Sequence, residues 1–170
     1  MAERSRRVAR WRVRLGYILG IAAFWLATPS PESLVIGAVV AAAGEALRIW
    51  AAGHLEKGIE VTSTGPYAFT RHPLYAGSTL MGIGFAIAAN NAIAAAIVAA
   101  YLVIMITAAV RSEEAHLTRK FGEDYPAYRS GRSAGPPRRF SFERALRNRE
   151  YRALVGFATV TALLAARLYL

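Results

Sequence analysis

The segment Thr64–Gly77, TGPYAFTRHPLYAG, gathers reactive groups inside a chain that is otherwise largely apolar. Arg71 carries a planar cation suited to a carboxylate or a phosphate. His72 stands at or just before a helix start marked by Pro73, since a proline in the first turn gives up no backbone hydrogen bond. A helix start presents free N–H groups and partial positive charge, so it favours anions. Thr64-Gly65-Pro66-Tyr67 reads as a turn that folds the loop back over this mouth. Tyr67 and Tyr75 suit either the mouth or an interfacial aromatic belt. Well downstream, Glu113 and Glu114 offer adjacent carboxylates that suit a cationic group; pairing with Arg71 or Arg111, or plain solvation, is the alternative. Placed at the end of an apolar helix, they would oppose its dipole by about 0.3–1 kcal/mol each. Glu45 and Arg48, one helical turn apart in another apolar stretch, form a further ionisable pair. Such pairs inside membrane spans are functional candidates, with a mutual ion pair near the interface as the alternative.

These groups need elements to position them. The chain has 170 residues, 55% of them hydrophobic, yet a formal net charge of +10. The basic residues cluster between long stretches without Lys or Arg. That is the pattern of a polytopic membrane protein and argues against a nucleic-acid partner. There is no cysteine, which excludes a disulfide framework and a thiolate metal site. His54, His72 and His116 are too scattered for zinc, so no metal is expected. Five apolar spans are read, at about Val13–Thr28, Glu32–Gly53, Pro73–Ala89, Ala92–Val110 and Ala153–Leu170. Crossing a bilayer core takes about 17–25 residues, so the first is short unless Trp11, Arg12 and Arg14 snorkel outward. It lacks a small-x-small cleavage pattern and reads as a retained anchor.

The expected fold is therefore all-α: a polytopic bundle of five transmembrane helices in a single membrane domain, 1–170. It divides into an N-terminal hairpin (1–53), a core with the cytoplasmic loops (54–130), and a linker with the fifth helix (131–170). With the N-terminus in the cytoplasm, the turns at 29–31 and 90–91 lie outside and hold no Lys or Arg, while the tail, the 54–72 loop and the 111–152 segment hold nearly all of them. Ser130–Pro137 reads as a flexible linker, and Gly82-x-Gly84 as a site of close helix packing. Gly16-x-x-x-Gly20 allows helix pairing, so a homo-oligomer is possible on sequence grounds. A hairpin centred on Asn90-Asn91 sets residue i of the third span level with roughly residue 181 − i of the fourth. His72 is then level with about Ala109, and Glu113 and Glu114 lie one turn further on the same side. Leu117, Phe121, Tyr125 and Tyr128 continue at helical spacing, as a face on the membrane or beneath the site. His54 and His116 read as interfacial polar residues.

Gly65-Pro66-Tyr67-x-x-x-Arg71-His72-Pro73-x-Tyr75-x-Gly77, followed by Glu113-Glu114-x-x-Leu117-x-x-x-Phe121-Gly122-x-x-Tyr125-x-x-Tyr128, resembles the integral-membrane methyltransferases. These include isoprenylcysteine carboxyl methyltransferases and phospholipid N-methyltransferases. Arg48-Ile49-Trp50 adds to the resemblance, which covers about residues 44–130. It implies S-adenosylmethionine as methyl donor, held at the cytoplasmic face beneath a loop by Tyr67, His72, Pro73, Tyr75, Glu113 and Glu114, with a lipophilic acceptor entering from the bilayer. Arg71, Glu114 and Arg48 are the catalytic candidates. Many relatives carry a histidine where this chain reads Lys57-Gly58-Ile59-Glu60-Val61, and many end soon after the last tyrosine, whereas this chain continues for about forty residues. A carboxylate acceptor needs no general base; an amine would need one, with His72, Tyr75 or a glutamate at hand. The absence of a dedicated base leans towards O-methylation of an isoprenylcysteine-type carboxylate, ahead of amine N-methylation or a non-enzymatic scaffold.

Overall fold

The computed structural model describes residues 2–122, 124–130 and 138–170, with side chains from Arg14 onward except at 124, 127 and 129. The order is α1 (Ala2–Leu26), α2 (Pro31–His54), a 3₁₀ turn (Gly65–Ala68), α3 (Pro73–Ala89), α4 (Ala92–Phe121), α5 (Asp124–Arg129), α6 (Phe142–Arg147), α7 (Tyr151–Ala166) and a closing 3₁₀ turn (Arg167–Tyr169). Among the described residues there is no strand. Pro31–His54, Ala92–Phe121 and Tyr151–Tyr169 are long and apolar enough to cross a membrane, and Arg14–Leu26 and Pro73–Ala89 are shorter apolar helices. This fits an integral membrane protein.

Local chemistry sets the boundaries. Ser30 caps α2 through a reciprocal capping box with Ser33, and Pro31 takes the first helical position. Asn90 stops α3 in the left-handed conformation (φ 48°), and the Asn91 side chain caps α4 by accepting from Ile93 and Ala94. The third span has the bounds expected of it. The fourth does not: α4 runs eleven residues past Val110, to Phe121. Glu113 and Glu114 therefore lie well inside a helix, and the dipole penalty expected of them falls away, because that effect is confined to the last turn. The 111–121 stretch is rich in Arg, Glu, Ala, Leu and Lys, all good helix formers. Polarity ends the apolar span there without ending the helix.

α2 and α3 form the closest pair of helices, and small residues make that possible. A Cβ on Gly44 would lie 2.5 Å from the Met81 backbone nitrogen, and one on Gly84 would strike the backbone of Ala41 and Gly37. Much of the buried core is alanine: Ala41, Ala51, Ala52, Ala88 and Ala94. Helices that gain little from leaving lipid associate through such backbone contact. The expected packing role of Gly82-x-Gly84 holds, with Gly82 against Leu102 of α4 and Gly84 against α2. Gly16 packs within the chain against the Tyr101 ring of α4, while Gly20 meets nothing within 4 Å.

One end of the bundle ties the two short turns together. The Thr28 backbone N–H donates to Ala89 O (2.8 Å), its hydroxyl donates to Asn90 O (3.0 Å), and Asn90 Nδ2 returns a bond to Thr28 O (3.1 Å). Arg167 arrives at the same end, donating to Ala27 O and lying over the Trp25 ring. The opposite end gathers His54, Arg71, His72, Glu114 and the segment from Arg138 to Glu150. Of the expected linker Ser130–Pro137, residues 131–137 lie outside the described residues.

Candidate functional site

α3 and α4, joined by the Asn90-Asn91 turn, bring Arg71 and His72 beside two glutamates more than forty positions away. Arg71 Nη1 and His72 Nε2 each lie 3.2 Å from Glu114 Oε1, and His72 Nδ1 lies 4.0 Å from Glu113 Oε2. Both imidazole nitrogens thus face a carboxylate. Tyr75, one turn into α3, lays its ring near that of His72, with centroids 5.8 Å apart. His72 is the N-cap residue of α3 in backbone terms, and the fully buried Pro73 follows it.

These residues open on a chamber of about 190 Å³. Tyr67, Arg71, His72, Pro73, Tyr75 and Glu113 line it, as do Leu117, Tyr125 and Tyr128. Its remaining wall is the loop from Leu55 to Thr62, with Glu56, Lys57 and Glu60 among its lining residues. Glu114 holds Arg71 and His72 at the rim. The expected stripe after Glu114 is broken at Gly122 (φ 52°), and α5 turns Tyr125 and Tyr128 back under the site. Tyr128 donates its hydroxyl to Tyr67 O (2.7 Å), fixing the 3₁₀ turn over the mouth. Tyr125 is 2% exposed, and its hydroxyl has no hydrogen-bond partner among the described residues.

The phenols stay neutral. Burial pushes the Tyr67 hydroxyl well above its ordinary value, and the Glu113 charge adds to this. Tyr125 is raised by burial and then by Glu114, and Tyr128 by burial. Each is a donor at neutral pH rather than a base.

Arg48, a catalytic candidate on sequence, does not line the chamber. Its Nε lies 2.7 Å from Glu150 Oε1 at the start of α7 and 3.8 Å from Glu45, and its Nη1 donates to Leu74 O (3.4 Å) and to Ser78 Oγ. It braces the first turn of α3 from behind, where sequence reading had made it a catalytic candidate. The mutual Glu45–Arg48 pair expected in the second span is present but long, and Glu150 is the closer partner.

Sequence reading missed the brace on the chamber's loop. Glu56 receives Arg144 Nε at 2.6 Å, Arg147 Nη2 at 3.2 Å and Arg138 Nη1 at 3.7 Å, and Arg138 also pairs with Glu60. The Arg144 hydrogen bond comes first in holding the Glu56 carboxyl below its ordinary value. Arg144 also donates to Gly53 O (2.6 Å), and Asn148 Nδ2 donates to Ala52 O and Leu55 O, so α6 caps the open carbonyls of α2. His54 is buried in this joint, bonded to Trp50 O (3.0 Å) with its ring tilted against that of Phe140, and does not line the chamber. The only advance signal was the acid spacing Glu56-x-x-x-Glu60 opposite a basic segment.

Residues 43–124 match the sequence profile of the phospholipid methyltransferase family. The chain is 30% identical over 128 residues to the nickel-cobalt-cadmium resistance protein NccN of Alcaligenes xylosoxydans xylosoxydans, covering 69% of this chain and 58% of that protein. It is 28% identical over 124 residues to the cobalt-zinc-cadmium resistance protein CzcN of Cupriavidus metallidurans, covering 69% and 57%. The chain thus spans a little under three fifths of the length of these curated relatives. No solved structure matches it. Among the described residues no group of three or more His, Asp or Glu could hold a metal ion. The matched segment contains α3, α4 and the Arg-His-Pro and Glu-Glu elements that meet at the chamber, and over it the chain is similar to the integral-membrane methyltransferases.

Proposed function

We propose that the protein is an S-adenosylmethionine-dependent membrane methyltransferase acting on a lipophilic acceptor, an isoprenylcysteine-type carboxylate methylated on oxygen. The observation that carries this reading is the meeting of Arg71, His72, Glu113 and Glu114 at one chamber. The wall suits the donor molecule. Glu113 on the wall and Glu114 at the rim match its ammonium and sulfonium charges, Arg71 and the start of α3 match its carboxylate, and the Tyr125 hydroxyl, without a partner among the described residues, has a hydrogen bond to give. Bound there, S-adenosylmethionine supplies an electrophilic methyl group together with its own leaving group. The chain's work is to align donor and acceptor and to keep water out, which the Leu55–Thr62 loop and the Tyr67–Tyr128 clasp serve. An ionised carboxylate attacks without losing a proton. Arg48 supports α3 and leaves the acceptor to others.

We read the chain as one membrane domain of five spans with α1 starting in the cytoplasm, from the positive-inside distribution. The chamber then opens on the cytosol, where the donor is found. The profile's description favours a second acceptor class, a phospholipid amine, which must shed a proton to His72, Tyr75 or a glutamate. The names of the two relatives suggest metal tolerance as a setting, reached by modifying a membrane component.

Calorimetry on the purified protein in detergent tests the donor, with binding expected. Well-folded protein that binds none is a scaffold. Labelled donor is then offered with a farnesyl-cysteine analogue and with phosphatidylethanolamine. Label released by mild base marks an ester and the first reading; stable label on the amine marks the second.

A further inference from the structure

Methyl transfer is an in-line displacement, so the acceptor must approach the donor chamber from a space that shares its wall. A second hollow, about 420 Å³, does so: it shares Lys57, Gly58, Tyr75, Glu113 and Leu117 with the chamber. Its floor is one face of α4, running from Ala109 through Ser112 and His116 to Lys120, spaced three and four residues apart, with Phe121 beside it. Three basic side chains, Lys57, His116 and Lys120, converge on it. Lys120 reaches across to the loop, its Nζ 3.0 Å from where a Cβ on Gly58 would stand. Among the described residues none of these three is in an ion pair, whereas Glu45, Glu56, Glu60, Glu113, Glu114 and Glu150 each have a basic partner. Glu113 is the one acidic group on the hollow, and it faces His72. Two lysines without an ion-pair partner and a histidine, beside Ala109, Leu117 and Phe121, form a place for an anion that carries a lipid tail.

We propose that this hollow is the acceptor site and takes the anionic head of an amphiphile, carboxylate or phosphodiester, with Lys57, His116 and Lys120 as its specificity residues and the tail along the α4 face. The inference rests on the methyltransferase reading, but its test needs no donor.

Binding of N-acetyl-S-farnesylcysteine, of its uncharged methyl ester and of dioctanoyl phosphatidylglycerol is measured on the detergent-solubilised protein. The two anions should bind about tenfold or more tighter than the ester. His116→Gln/Lys120→Gln, at two residues outside the donor chamber, should erase that preference while S-adenosylmethionine binding stays as in the unaltered chain. The tighter anion names the head class. A diazirine on the tail should crosslink to residues 109–121. Equal binding of anion and ester, an unchanged preference in the double variant, or crosslinks confined to Phe24, Phe85, Val160 and Leu164, which line an apolar cavity between α1 and α7, would overturn the assignment. Failure of donor binding alone would overturn the methyltransferase reading and leave the anion site standing.

Discussion

His72 Nε2 and Glu114 Oε1 stand 3.2 Å apart although 42 residues separate them in the chain. The Asn90-Asn91 hairpin makes this contact, because two antiparallel helices return to the same depth after equal numbers of turns. Glu114 thereby joins Arg71 and His72, and its environment leads to the first prediction.

The Arg71–Glu114 pair is partly exposed, at 42% and 23% of the side chains. Pairs so placed add about 0–1 kcal/mol to stability. A hydrogen bond to a charged ligand group is worth more, about 1.5–3 kcal/mol. Glu114→Gln should therefore weaken S-adenosylmethionine binding about tenfold or more and barely move thermal melting. Calorimetry and melting on the same sample check this, and a large loss of melting temperature would make Glu114 a structural residue instead.

Arg48 serves Glu150, Glu45 and the first turn of α3 at once. Removing one partner of a buried ion pair typically costs about 3–5 kcal/mol, because the other charge is left stranded. Arg48→Gln should lose stability on that scale in denaturant titrations, and adding Glu150→Gln should recover part of it. A loss of turnover at unchanged stability would instead return Arg48 to the catalytic group.

A Cβ on Gly84 would strike the α2 backbone, and one on Gly20 would meet nothing within 4 Å among the described residues. Overpacking typically costs about 1–3 kcal/mol, and more where the obstacle is backbone. Gly84→Val should lower the melting temperature clearly, and Gly20→Val should leave it nearly unchanged. If Gly20→Val alone alters the oligomeric state on size-exclusion chromatography, that glycine belongs to a contact between chains.

Arg144 and its neighbours hold the Glu56 carboxyl below its ordinary value of 4.5. A lowered value means that the folded state favours the charged form, so the contribution is complete above about 4.5 and is lost as pH falls through the lower, folded value. Protease cleavage within 55–64 should rise as pH is taken from 6 to 3, with melting falling in parallel. Glu56→Gln should cleave readily at pH 6 and flatten the profile. A profile that keeps its slope in Glu56→Gln would assign the acid response to another group.

Parts of this architecture were legible in advance for identifiable reasons. Pro73 and Asn90-Asn91 mark backbone events that a helix cannot ignore, so the bounds of α3 and the register with α4 followed from them. The meeting of Arg71 and His72 with Glu113 and Glu114 followed in turn. The length of α4 was not legible from hydropathy, since Arg111 to Lys120 change polarity but keep helix-forming character. Ion-pair partners were opaque as well. A charged side chain carries no address, and Glu56 reaches Arg144 across 88 positions, just as Arg48 reaches Glu150 through a packing arrangement that only the fold defines.

The arginines after residue 137 hold the rim of the chamber although they lie beyond the stretch that the family profile recognises. A fragment cut to that stretch would keep the Arg-His-Pro and Glu-Glu elements and lose the splint that sets the Leu55–Thr62 arch. Anyone grafting this centre into another scaffold would need to transplant Arg138 to Glu150 with it.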